Sequence, residues 1–123
     1  MSGSIERAHQ ELGAAQSLAD AGYPAQAVSS ACYGSFFAAE AALLALDETR
    51  SKHSGVISAF TKLVVKDGAC DPESGRLLRS LFDRRNRADY STDDVPPEEA
   101  RAAIEDARRV VDLVERWLTQ RTH

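Results

Sequence analysis

A helical period of 3.6 residues runs through this chain from one end to the other, with no β-branched run of two-residue alternation to compete with it. That pattern restricts the fold to packed helices. At 123 residues the chain has the length of one domain, residues 1–123. Such a chain buries roughly two-thirds of its unfolded surface without a disulfide or metal staple.

Five segments can be read. The first, about Ile5 to Ala21, puts Ile5, Ala8, Leu12, Ala15 and Ala19 on one stripe. Gly22 stops it, and Pro24 suits the first turn of the next helix, where its missing N–H does no harm. The second segment, about Pro24 to Leu46, is apolar on two faces. Ala25, Val28, Cys32, Phe36, Ala39, Leu43 and Leu46 form one face; Tyr33, Phe37 and Leu44, interrupted by Glu40, form the other. Gly34, Ala38, Ala41 and Ala45 add a ridge of small side chains that lets another helix approach closely. A helix apolar on two faces has to lie centrally or meet a second subunit.

The third segment, Ser54 to Val65, is shorter and closes at Lys66-Asp67-Gly68. The fourth opens at Asp71-Pro72, a capping side chain before a first-turn proline, and buries Leu77, Leu78, Leu81 and Phe82. After a loop, Ser91 to Val95, the fifth opens at Pro96-Pro97-Glu98-Glu99 and keeps three-four spacing from Ala100 through Trp117 and Leu118. Short connections force antiparallel neighbours. The expected fold is all-α: an up-down four-helix bundle with one additional short helix.

Composition narrows the function. A net charge of −4 and a pI near 5.3 argue against binding nucleic acid over the whole surface. Cys32 and Cys70 are too few for a disulfide framework and lack metal-ligand spacing, and Glu40 is a single carboxylate in its helix, so neither metal nor cofactor is expected. The opening residues lack the pattern of a signal peptide. The most apolar stretch, Ala31 to Leu46, is about 16 residues where a bilayer needs about 20. A cytoplasmic protein without membrane contact is the expectation.

The chemistry concentrates in Leu81-Phe82-Asp83-Arg84-Arg85-Asn86-Arg87-Ala88-Asp89-Tyr90. Continuing the buried stripe by helical steps from Leu81 and Phe82 lands on Arg85 and then Asp89, where water is partly excluded. Such groups are paired or line a cleft, because unpaired burial costs several kcal/mol. The plain reading is an i,i+4 ion pair. Arg76, Arg79, Arg84, Arg85 and Arg87 share this helix, and a guanidinium fork suits phosphate. Alternatively the arginines pair with acids of the fifth segment such as Glu98, Glu99, Glu105 or Asp106.

This stretch resembles the signature of HEPN domains (higher eukaryotes and prokaryotes nucleotide-binding), whose hallmark is an arginine followed a few residues later by histidine. It is most similar to the small prokaryotic branch with Arg-x-x-Ala-Asp-Tyr-type motifs. Arg85 stands as the motif arginine and Tyr90 in the histidine position. Ala31-Cys32-Tyr33-Gly34-Ser35-Phe36-Phe37-Ala38-Ala39-Glu40-Ala41 and His53-Ser54-Gly55-Val56-Ile57 agree with the same branch.

The resemblance implies a homodimer whose two motifs meet in one cleft. It also implies a nucleotide or RNA ligand, and a toxin–antitoxin-type pair with a minimal nucleotidyltransferase that modifies a tyrosine, here Tyr90. Arg84, Arg85, Asn86 and Arg87 would hold phosphate, with Tyr33 and Glu40 in support, Glu40 by pairing with a motif arginine. The family also contains metal-independent ribonucleases. A ribonuclease here would rely on Arg85, Asp89 and Tyr90, with His53 as the base, since tyrosine is almost fully protonated at neutral pH and histidine is not. The plainer alternatives are a helix-start role for His53 and, for the whole chain, a structural adaptor without a site.

Overall fold

A computed structural model describes residues 2–90 and 94–121. Residues 91–93 of the expected Ser91–Val95 loop lie outside the described residues. Among the described residues all regular structure is helical: α1 (Ser2–Asp20), α2 (Pro24–Leu44), α3 (His53–Ala59), α4 (Pro72–Tyr90) and α5 (Pro97–Arg121). Helix α3 runs straight on into a wider π-helical stretch, Phe60–Lys66. The five helices pack as one bundle, as the period requires.

The start and stop residues behave as their chemistry dictates. Gly22 takes φ +88°, a left-handed conformation that suits glycine, and the following Tyr23 N–H donates to the Leu18 carbonyl at 2.8 Å, closing α1. Pro24 occupies the first turn of α2. The Asp71 carboxylate accepts the Glu73 N–H at 2.9 Å and caps α4.

Helix α2 lies at the centre and touches every other helix. Its first stripe is sealed: Val28, Cys32, Phe36, Ala39 and Leu43 are at most 1% exposed. Burying side chains such as Phe36 and Phe60 contributes about 1.5–3 kcal/mol each. Ala25, expected on that stripe, is only half-buried, and Ala27 is buried instead. The small ridge seats α1 closely: a Cβ on Gly34 would stand 3.2 Å from the Ala8 carbonyl oxygen and 3.3 Å from Leu12 Cδ2. Helix α5 covers the other side with Ile104, Ala107, Val110, Val111, Val114 and Trp117. The Trp117 indole N–H donates to the Gly68 carbonyl at 2.7 Å, pinning α5 to the turn before α4.

The second face of α2 stays open. Tyr33 is 37% and Leu44 40% exposed, and Phe37 is half-buried under the Arg7 guanidinium, 4.4 Å above its ring. The helix is therefore central and still carries an uncovered apolar stripe. By length and apolarity its 21 residues could cross a bilayer, which the shorter apolar count did not anticipate, yet 67% of its most apolar 18-residue window is buried inside the bundle.

One further departure concerns winding. The third segment has the expected extent, but from Phe60 its turns widen, and the Asp67 N–H reaches the Lys62 carbonyl five residues back at 2.9 Å. No residue type in Phe60–Lys66 marks this from sequence.

Candidate functional site

The stripe that buries Leu78 and Leu81 carries Arg85 inward one turn later, against the open face of α2. The Arg85 side chain is only 13% exposed. Its Nη1 donates to the Tyr33 hydroxyl at 2.9 Å, and its guanidinium carbon lies 5.3 Å from the Tyr33 ring centre and 5.8 Å from that of Phe82. Aromatic faces stabilise the cation where water is scarce. The opposite edge is poorly satisfied. Nη2 reaches Asn86 Oδ1 only at 3.5 Å, and the buried Nε has no hydrogen-bond acceptor among the described residues.

Asp89, one turn further on, does not fill that gap. Its Oδ2 is 4.0 Å from Arg85 Nε, too far for a hydrogen bond, because Ser29 of α2 donates to Oδ1 at 2.6 Å and draws the carboxylate across. The i,i+4 pair foreseen from spacing exists only at the edge of contact.

His53, at the start of α3, joins the same cluster. Its ring stacks on Phe36 with centroids 4.3 Å apart and meets Tyr33 edge-on at 5.7 Å. Burial, then the nearby Arg85 charge, push its pKa below the ordinary 6.5, so the neutral imidazole prevails at neutral pH. Beneath lies Cys32, whose thiol burial drives up to about 12, with Arg85 opposing. It is a core residue rather than a nucleophile.

The remaining motif residues go elsewhere. Arg84, about 100° round the helix from Arg85, faces α5: Nη2 meets Asp106 Oδ2 at 2.6 Å and Nε donates to Ser80 Oγ at 3.1 Å. The paired-arginine alternative therefore holds for Arg84. Arg87 is exposed and forms no ion pair among the described residues. Tyr90 is 81% exposed; five residues from Arg85 is about 140° of helical turn, which sends it to another face.

Glu40 corrects an expectation. The cation acting on it is Arg7 of α1, not a motif arginine, and burial raises its pKa against that influence. Positions 33 and 40 share a face of α2 but lie about 10 Å apart along its axis. Glu40 opens instead onto a small pocket with Leu44, Glu48 and Arg50.

The structure thus brings together Tyr33, His53, Arg85, Asn86 and Asp89, and leaves Glu40, Arg84, Arg87 and Tyr90 outside. Sequence reasoning missed Ser29. The only available signal was its position one helical turn before Tyr33 on α2, facing the groove of about 500 Å³ that Tyr33 and Asp89 also line. Among the described residues no cluster of three or more potential metal ligands occurs.

Comparison with known proteins adds a consistent set of similarities. The family model described as "HEPN domain" matches residues 1–117. A candidate toxin of Methanocaldococcus jannaschii, MJ0605, is 34% identical over 94% of this chain and 87% of its own length. A second candidate toxin of the same organism, MJ0142, is 29% identical over 93% of this chain and 78% of its own. A UPF0332 protein of Gloeobacter violaceus is 31% identical over 94% of each chain.

Proposed function

The chain belongs to the HEPN domain family, and from that premise we propose that it binds RNA or nucleotide phosphate through Arg85. In this reading it acts as one member of a toxin–antitoxin-type pair with a minimal nucleotidyltransferase. One observation carries the binding role: an arginine side chain 13% exposed, with no carboxylate nearer than 4.0 Å and a buried Nε lacking an acceptor among the described residues. A largely buried cation without a close counter-charge is costly, and an anion at its unsatisfied edge relieves that cost. Phosphate fits the planar fork. A structural adaptor would have its motif side chains fully tied up, and Arg85 is not.

Relatives named as candidate toxins support the pair reading. The exposure of Tyr90 suits it to modification by a partner enzyme better than to chemistry beside Arg85. The uncovered stripe of Tyr33, Phe37 and Leu44 on α2 favours a homodimer that brings two Arg85 sites together. We assign this activity to the cytoplasm, where RNA and reduced thiols coexist.

A second reading has one specific support. A neutral His53 in the cluster that holds Arg85 could take the ribose 2′-hydroxyl proton while Arg85 stabilises the phosphorane. The 2′-oxygen–phosphorus bond then forms as the phosphorus–5′-oxygen bond breaks, the leaving oxygen taking a proton from water, which gives a metal-independent ribonuclease.

Fluorescence anisotropy with labelled single-stranded RNA and with ATP, comparing wild type and Arg85→Ala, tests the binding role. Binding that falls at least about tenfold in the variant supports it; equal binding, or none by either protein, overturns it. Cleavage of RNA in EDTA that is lost in both Arg85→Ala and His53→Ala would favour the second reading.

A further inference from the structure

Beside Arg85 lies an open groove of about 500 Å³ between the C-terminal end of α1, the first half of α2 and the last turn of α4. That volume lies within the range of about 300–1,000 Å³ typical of small-molecule sites. Leu18, Ala25 and Ala88 give it apolar walls; Gln26, Ser29 and Asp89 give it polar ones, and Tyr33 joins it to Arg85. Asp89 is its one charged lining residue, and Arg85 lies next to the groove rather than in its wall, hydrogen-bonded to the lining Tyr33.

We propose that this groove is the nucleobase subsite of the RNA surface, and that Asp89, oriented by Ser29, selects a base bearing an exocyclic amine. The inference rests on the placement of phosphate at Arg85. A carboxylate such as that of Asp89 accepts hydrogen bonds and donates none. Ser29 occupies Oδ1 at 2.6 Å, while Oδ2, 4.0 Å from Arg85 Nε, has no hydrogen-bond donor among the described residues. That oxygen asks for a donor from the ligand. Cytosine and uracil match in size and differ at two neighbouring edge groups. At C4 cytosine presents an amine, which a carboxylate accepts, and uracil a carbonyl, whose lone pairs oppose it, while N3 accepts in cytosine and donates in uracil, so the proposal places the Asp89 contact at the C4 group. Ser29 acts as a positioning residue with two effects. It keeps the carboxylate off the guanidinium, leaving that charge for phosphate, and it aims the second oxygen toward the ligand.

The test is the affinity of the full chain for short oligocytidylate and oligouridylate, measured for wild type, Asp89→Asn, Ser29→Ala and Arg85→Ala. Wild type binds oligocytidylate about tenfold more tightly, the scale of one charge-assisted hydrogen bond. Asp89→Asn, whose amide both donates and accepts, brings the ratio close to one by improving oligouridylate. Ser29→Ala shrinks the ratio and weakens both ligands, because Asp89 is freed to close on Arg85. Arg85→Ala weakens both ligands equally.

A wild-type ratio near one, or an unchanged ratio in Asp89→Asn, overturns the base subsite while leaving phosphate binding in place. An unchanged ratio in Ser29→Ala overturns its positioning role. If Arg85→Ala binds as wild type does, or if wild type binds neither ligand, the phosphate reading fails and the subsite with it. The wild-type ratio decides the matter even if a variant does not fold.

Discussion

Arg85 donates from Nη1 to the hydroxyl of Tyr33 at 2.9 Å, a bond between α4 and α2 across 52 positions of sequence. It fixes the guanidinium plane and thereby decides which edge stays unsatisfied. Tyr33→Phe keeps the ring contact and removes the acceptor. The variant should lose about 1 kcal/mol of stability in urea unfolding and about fivefold in RNA affinity, less than Arg85→Ala loses. An affinity equal to wild type would show that the orientation of the guanidinium is immaterial.

Arg84 and Arg85 are neighbours in sequence with opposite tasks. The Arg84–Asp106 contact, 2.6 Å with side chains 18% and 31% exposed, ties α4 to α5. Arg84→Met should cost about 1 kcal/mol in unfolding free energy and leave RNA binding within twofold or so of wild type. A large loss of binding with intact stability would return Arg84 to the ligand site.

Much of this could be read beforehand. The stripes of α1 and α5 follow the 3.6 period, and the inward position of Arg85 follows from Leu81 and Phe82, because burial along a helix repeats by geometry. What one helix's period cannot state is which residue of another helix lies opposite. Tyr33 stood out as an aromatic on the second face of α2, but Ser29 carried no distinguishing signal. Glu40 misled because a shared face says nothing about distance along the axis. Arg84 and Arg85, adjacent and alike, are separated only by their angle around α4. The π-helical winding of Phe60–Lys66 depends on tertiary packing and leaves no local pattern.

His53 makes the protein sensitive to acid. Its folded pKa lies below 6.5, chiefly through burial and secondly through Arg85, so in the window between the folded value and 6.5 the unfolded chain binds more protons. Stability therefore falls as pH drops through that window and is insensitive to this group above it. In urea titrations from neutral pH to about pH 5, wild type should lose more stability than His53→Gln. Parallel losses would mean that His53 titrates as it does in the unfolded chain.

The outer stripe of α2 offers a clean test of assembly. Leu44 is 40% exposed, so Leu44→Glu should leave the helical content and the unfolding midpoint of the bundle close to wild type. If two subunits meet there, sedimentation equilibrium will show a dimer for wild type and a monomer for the variant. A variant as dimeric as wild type would move the interface elsewhere.

The unsatisfied edge of Arg85 can be observed in solution. In a ¹⁵N-correlated NMR spectrum the Arg85 Nε–H signal, assigned by its loss in Arg85→Lys, should move downfield and exchange more slowly as short single-stranded RNA is added, because the proton gains the acceptor it lacks. An Nε–H signal that stays in place at saturating RNA, while other resonances shift, would contradict the assignment of Arg85 as the phosphate-binding group.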